Sequence, residues 1–146
     1  MNKDWKILLL KNVVNPEYLR EDPSVVEKSK SVRYRGNQIE KISIENGVVD
    51  SSTRYMYPKY KDVSYYIKNV IESTIGERLY PTYYFDRFYF SENFLRKHID
   101  RPACEISISI NISNTTGVNW PLYFKHDEEI YSFTSDPGDG ILYKGM

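Results

Sequence analysis

The stretch whose residue types and spacing bear most directly on chemistry is His98-Ile99-Asp100. In an extended chain, residues two apart project from the same side of the backbone. An imidazole nitrogen and a carboxylate oxygen can therefore meet one cation there. Two histidines and one carboxylate on one face of an octahedron leave three positions open on Fe(II), and His98 and Asp100 would supply two of those ligands. A His-x-Asp tripeptide is common, and spacing alone leaves a plainer reading open: a histidine ion-paired with a neighbouring carboxylate at a strand end. The other histidine, His126, lies in Lys125-His126-Asp127-Glu128-Glu129, which reads as a polar surface turn.

The elements that must position such a pair are strands. Residues 82–90 form an aromatic-rich strand before it, and residues 104–113 alternate strictly after it. Cys104, Ile106, Ile108, Ile110 and Ile112 face one way, and Glu105, Ser107, Ser109, Asn111 and Ser113 the other. Residues 120–124 and 130–133 are further strand candidates. Pro137-Gly138-Asp139-Gly140 is a turn, and Ile141-Leu142-Tyr143 a last strand. Upstream, residues 5–14 read as an opening strand. Asn15-Pro16-Glu17 opens a helix, because Asn caps, Pro suits the first helical position and Glu favours the positive end. Asp22-Pro23 repeats that logic through Lys28. Residues 39–49 read as a hairpin turning at Asn46-Gly47. The helix over 62–79 places Val63, Tyr66, Ile67, Val70, Ile71 and Ile75 on one face, with Asp62 as cap and Pro81 as stop. Helices followed by strands spaced by turns indicate an α+β, mainly β fold, with residues 82–146 making most of a two-sheet antiparallel sandwich and the helix outside one sheet.

Several of these motifs occur in a familiar order. Tyr84-Phe85-Asp86-Arg87-Phe88-Tyr89, Leu95-Arg96-Lys97-His98-Ile99-Asp100-Arg101, Cys104-Glu105-Ile106-Ser107, Trp120-Pro121-Leu122-Tyr123-Phe124 and Pro137-Gly138-Asp139-Gly140 follow one another. That series, over roughly residues 80–146, resembles the 2-oxoglutarate/Fe(II)-dependent oxygenases of the prolyl-4-hydroxylase-like type, most of all their small phage and marine-bacterial forms. The resemblance implies a double-stranded β-helix (jelly roll) with N-terminal buttressing helices. It implies Fe(II) held by His98 and Asp100, 2-oxoglutarate as cosubstrate, and ascorbate as an auxiliary reductant. Tyr89 matches the tyrosine aimed at the 2-oxoglutarate pocket, and Arg87 shares its side of the strand. Glu105, Ser107, Ser109 and Asn111 would line or border that pocket, with Ser109 among the cosubstrate-binding residues. The family's second histidine and the basic residue that grips the far carboxylate would lie beyond Met146. A single domain over 1–146 is then expected to lack its C-terminal end, either because the chain is a piece of a longer protein or because the site is incomplete.

Each assignment has a structural counterpart. Tyr89 can be core packing in a chain with 14 tyrosines. Arg87 can pair with Asp86 or lie on the sheet surface. Arg101 either holds Asp100 or reaches substrate, Cys104 reads as a small core residue, and Glu105 could accept from a ligand imidazole. Tyr143 and Lys144 read as structural. The 20 Lys+Arg balance 20 Asp+Glu, so no strong field favours nucleic acid or anionic lipid. One cysteine and no export or membrane-spanning segment fit a cytoplasmic protein. Two functions follow as expectations: a dioxygenase hydroxylating a peptide (a prolyl residue is one candidate) or a small molecule, or a non-catalytic jelly-roll binding module with an incomplete metal site.

Overall fold

The computed structural model describes residues 5–21, 32–35, 38–41, 44–45, 48–49, 52–89, 105–114, 117, 119, 121–126 and 128–144. Its elements run β1 (Ile7–Leu10), a 3-10 turn (Pro16–Tyr18), β2 (Val32–Arg35), β3 (Gln38–Lys41), β4 (Ile44–Glu45), β5 (Val48–Val49), β6 (Ser52–Tyr55), a second 3-10 turn (Pro58–Tyr60), α1 (Lys61–Ile75), β7 (Phe85–Phe88), β8 (Ile106–Ile110), β9 (Leu122–His126), β10 (Glu129–Phe133) and β11 (Gly140–Lys144). The protein is thus mainly β, with one α-helix among the described residues. It divides into two compact units, one of residues 1–20, 74–76 and 100–146 and one of residues 21–73 and 77–99.

In the first unit the sheet order is β1-β11-β8, and both pairings are antiparallel. The two ends of the chain therefore meet in one sheet, with Ile7 opposite Tyr143 and Leu8 opposite Leu142. β11 is central, and its Ile141 and Leu142 point to opposite faces. Both are buried, so this strand is covered on two sides. β9 and β10 form an antiparallel hairpin whose strands are joined through residues 127–128. The polar turn expected over residues 125–129 is thus shorter: Lys125 and His126 end β9 and Glu129 opens β10, with Glu128 at φ 67° supplying the positive-φ position. Phe124 of the hairpin lies 4.9 Å, ring to ring, from Tyr143 of β11, so hairpin and sheet pack together.

The expected helix start at Asn15 is present as a 3-10 turn, with the Asn15 side chain accepting from the Glu17 N–H at 3.1 Å. The expected helix over residues 22–28 lies outside the described residues. Just before the turn, Val13 N–H and Val14 N–H both donate to the Gly138 carbonyl, at 2.9 and 3.3 Å. The Pro-Gly-Asp turn is thereby fastened to the N-terminal segment.

The second unit holds the sheet β3-β2-β6-β7, in which β2 and β6 run parallel and the other pairs antiparallel. Of the hairpin expected over residues 39–49, only β4 and β5 pair around residues 46–47, with Glu45 opposite Val48, while residues 38–41 pair with β2 instead. α1 departs from expectation at both ends. The chain enters it through the Pro58–Tyr60 turn, so Asp62 sits in the first turn instead of capping it. It ends at Ile75 because Gly76 adopts φ 72°, the left-handed conformation that terminates helices, well before Pro81. Ile71 and Ile75 are buried and Val63, Ile67 and Val70 half-buried, as a core face requires, whereas Tyr66 is exposed at the margin of the stripe. Strand 85–88 joins β6 in this unit, while β8 to β11 belong to the first, so residues 82–146 do not share one pair of sheets.

Candidate functional site

The site is built outward from β7. Alternation sends Asp86 and Phe88 to one face of the strand and Phe85 and Arg87 to the other. Register places Arg54 of β6 opposite Asp86, and cross-strand neighbours of opposite charge attract. Arg54 Nε and Nη2 both donate to Asp86 Oδ2, at 2.9 and 2.6 Å. Nη1 donates to Glu21 Oε1 at 3.0 Å and Nη2 to the Tyr60 hydroxyl at 2.9 Å. Lys59 Nζ adds a 3.1 Å bond to Glu21 Oε1. The guanidinium lies 4.1 Å from the Tyr57 ring centre and 4.9 Å from that of Phe88. Arg54 is 3% exposed.

Two cations and two carboxylates balance in this cluster. Burial pushes the Glu21 carboxyl up, but the bonds from Arg54 and Lys59 outweigh it and hold the group below its ordinary range. For Asp86 burial wins over Arg54, with Glu21 adding repulsion, and its carboxyl is held above the ordinary range. The geometry fits that result, because both Arg54 donors address Oδ2 and the buried Oδ1 has no hydrogen-bond partner. Burial likewise raises the Tyr60 phenol.

The opposite face of β7 carries two of the expected cosubstrate residues. Arg87 lies 5.4 Å from the Phe85 ring centre and 5.9 Å from that of Tyr89, with Nη1 3.5 Å from the Tyr89 hydroxyl. Tyr83 stacks on Phe85, and Tyr55 on Tyr83. Tyr89 is half exposed and so is not core packing. Arg87 does not pair with Asp86 either, since that carboxylate is across the strand with Arg54. A guanidinium beside a phenol is an arrangement that can receive a carboxylate.

In the first unit, Ser109 is opposite Ile141 and Ser107 opposite Tyr143. Directly opposed residues share a face, so these serines stand on the side of the sheet against which Phe124 packs. Ile108 and Ile110 occupy the other side, where Gly140 gives them room: a Cβ there would stand 2.7 Å from Ile108 Cδ1. Ser109 is exposed. Asn111 is committed elsewhere, donating to the Ser135 carbonyl at 2.8 Å and to Asn119 Oδ1 at 3.1 Å. Tyr143 and Lys144 are structural as expected: Tyr143 packs on Phe124, and Lys144 lies 4.8 Å from the Trp5 ring centre.

The Pro-Gly-Asp turn holds a second buried carboxylate. Asp139 is 2% exposed. It accepts from Lys11 Nζ at 2.9 Å, from the Asn12 N–H at 2.9 Å and from the Asp136 N–H at 3.1 Å. Burial pushes the group up, but these donors outweigh it and lower it below the ordinary range.

His98 and Asp100, with Arg101 and Cys104, lie outside the described residues. Among the described residues no three His, Cys, Asp or Glu side chains gather as a metal would require. Arg87 and Tyr89 are brought together, while Ser109 belongs to the other unit. Sequence reasoning missed the Arg54–Asp86 cluster. Its signal was an acid alternating with Phe88 on the inner side of an aromatic strand, a position that demands a buried partner. Comparisons with protein-family models, with curated proteins and with solved structures returned no match.

Proposed function

We propose that this chain carries a 2-oxoglutarate- and Fe(II)-dependent dioxygenase domain of the jelly-roll type, hydroxylating a peptide or small molecule. The observation that carries the reading is the ordered series of motifs around His98-Ile99-Asp100. Strand pairing supports it: β9 pairs with β10, and β8, on one side of that hairpin, pairs with β11 on the other. This nesting of one antiparallel pair inside another is how a jelly roll doubles back on itself.

His98 and Asp100 would hold the metal. When bound, iron would supply the chemistry by which O2 acts as the oxidant, one oxygen atom passing to succinate as 2-oxoglutarate loses CO2 and the other to an unactivated C–H bond. The remaining work falls to the chain. Arg87 and Tyr89 present a cation and a phenolic O–H suited to a carboxylate.

The test is Fe(II)- and 2-oxoglutarate-dependent succinate release by the longest natural form of the protein. His98→Ala should abolish turnover almost wholly, because the metal itself loses a ligand. Tyr89→Phe removes one bond to a charged group, about 1.5–3 kcal/mol. Turnover should then need roughly ten- to a hundredfold more 2-oxoglutarate and recover at saturation. Wild-type protein that binds 2-oxoglutarate but releases no succinate with any candidate substrate would replace this reading with a binding module.

A further inference from the structure

We infer that Arg54 is a positioning residue for the cosubstrate-facing side of β7, acting through Asp86 on the strand's other face; this rests on the dioxygenase reading for its ligand but not for its geometry. The argument begins with the strand. β7 is four residues long and is joined to the sheet through β6. Such a strand has few ladder hydrogen bonds to fix its orientation. Its outward residues Arg87 and Tyr89 can meet a carboxylate reproducibly only if its inward residues are held.

Asp86 and Phe88 are those inward residues, and Arg54 grips both. The guanidinium donates twice to Asp86 and lies 4.9 Å from the Phe88 ring centre. It is itself fixed by Glu21, Tyr60 and the Tyr57 ring, 4.1 Å away. A planar fork can serve these partners at once, whereas a lysine ammonium, a single point of charge, cannot. The double bond to Oδ2 matters in another way. An asparagine at 86 keeps an oxygen for both Arg54 donors and places its NH2 where the unpartnered Oδ1 stands. Position and charge can therefore be separated: Asp86→Asn keeps the grip and loses the charge, while Asp86→Ala loses both.

The experiment compares Arg54→Lys, Asp86→Asn, Asp86→Ala and wild type by two readouts. Amide hydrogen exchange over residues 85–89 reports the strand without reference to any ligand. The KM for 2-oxoglutarate, separated from kcat, reports what the strand presents. Arg54→Lys and Asp86→Ala should speed exchange in residues 85–89 at least tenfold. Each should raise KM by about tenfold with kcat little changed, since a small displacement weakens binding at a distance. Asp86→Asn should stay close to wild type in both. Ile71→Ala, a buried helix truncation of comparable stability cost, should leave KM alone and so controls for general loosening. Unchanged exchange at residues 85–89 in Arg54→Lys would overturn the inference, as would Asp86→Asn and Asp86→Ala raising KM equally. Altered exchange in a wild-type background that neither binds nor turns over 2-oxoglutarate would uphold the positioning role and defeat the dioxygenase reading instead.

Discussion

Asp86 and Asp139 are both buried aspartates bonded to cations, yet their environments send them in opposite directions. Asp139 collects two backbone N–H donors and the Lys11 ammonium, and its carboxyl is lowered. Its stabilising contribution is present above the unfolded value near 3.8 and is lost as pH falls through the lower folded value. Asp86 has one oxygen without a donor and is raised. Its contribution is present below about 3.8 and is lost as pH rises through the higher folded value. The stability advantage of wild type over Asp139→Asn should therefore shrink on acidification, while that over Asp86→Asn should grow. Urea midpoints from about pH 7 to about pH 3 measure both; two differences moving the same way would contradict this account. Asp139→Ala at neutral pH, which strands two backbone donors, should cost about 3 kcal/mol. The sequence marks residue 139 as part of a turn, but its partner Lys11 lies 128 positions away, and no local pattern reports such a pairing.

At the scale of elements, the clearest sequence signals are those in which local chemistry and packing agree. The strict alternation around residues 106–110 gives β8, and the Pro-Gly-Asp-Gly turn gives the start of β11. The end of α1 was misread because Pro81 is a strong breaker, while a glycine inside an apolar stripe looks tolerable until its backbone is known. Glycine substitutions test this directly. Gly76 has φ 72° and open space around its Cα, so Gly76→Ala should cost only the conformational penalty, about 1 kcal/mol. Gly138 has φ 94°, and an added Cβ would stand 2.6 Å from the Val14 carbonyl oxygen, a backbone atom that cannot step aside. Gly138→Ala should cost more, about 2–4 kcal/mol. Gly140→Ala meets side-chain atoms only, Ile108 Cδ1 at 2.7 Å, Ile108 Cγ1 at 3.0 Å and Ile110 Cγ1 at 3.4 Å, and should fall below Gly138→Ala. Thermal melts of the three variants give the order, and equal losses at 76 and 138 would remove the role assigned to the Val14 contact.

For the whole molecule, what the sequence could not disclose is which strands pair. The sequence groups β7 with the strands that follow it in one sandwich over residues 82–146, yet its ladder is with β6, whose residues give no sign of it. β1 and β11 meet across nearly the full chain, and two apolar strands cannot announce each other at that distance. The first unit therefore depends on contacts of very large sequence separation, which are slow to form. The second is assembled from the intervening residues. This division predicts the effect of losing one end. Deleting residues 1–10 removes β1, bares one edge of β11 and uncovers Leu142, which is 0% exposed. Amides of β11 and β8 should then lose their protection from hydrogen exchange, because β11 is the shared middle strand. Amides of β6 and β7, held by Arg54 and Asp86 within the second unit, should keep theirs. Protection lost equally in both sets would mean that the chain unfolds as one cooperative block, and that the grip of Arg54 on β7 depends on a sheet in which neither residue takes part.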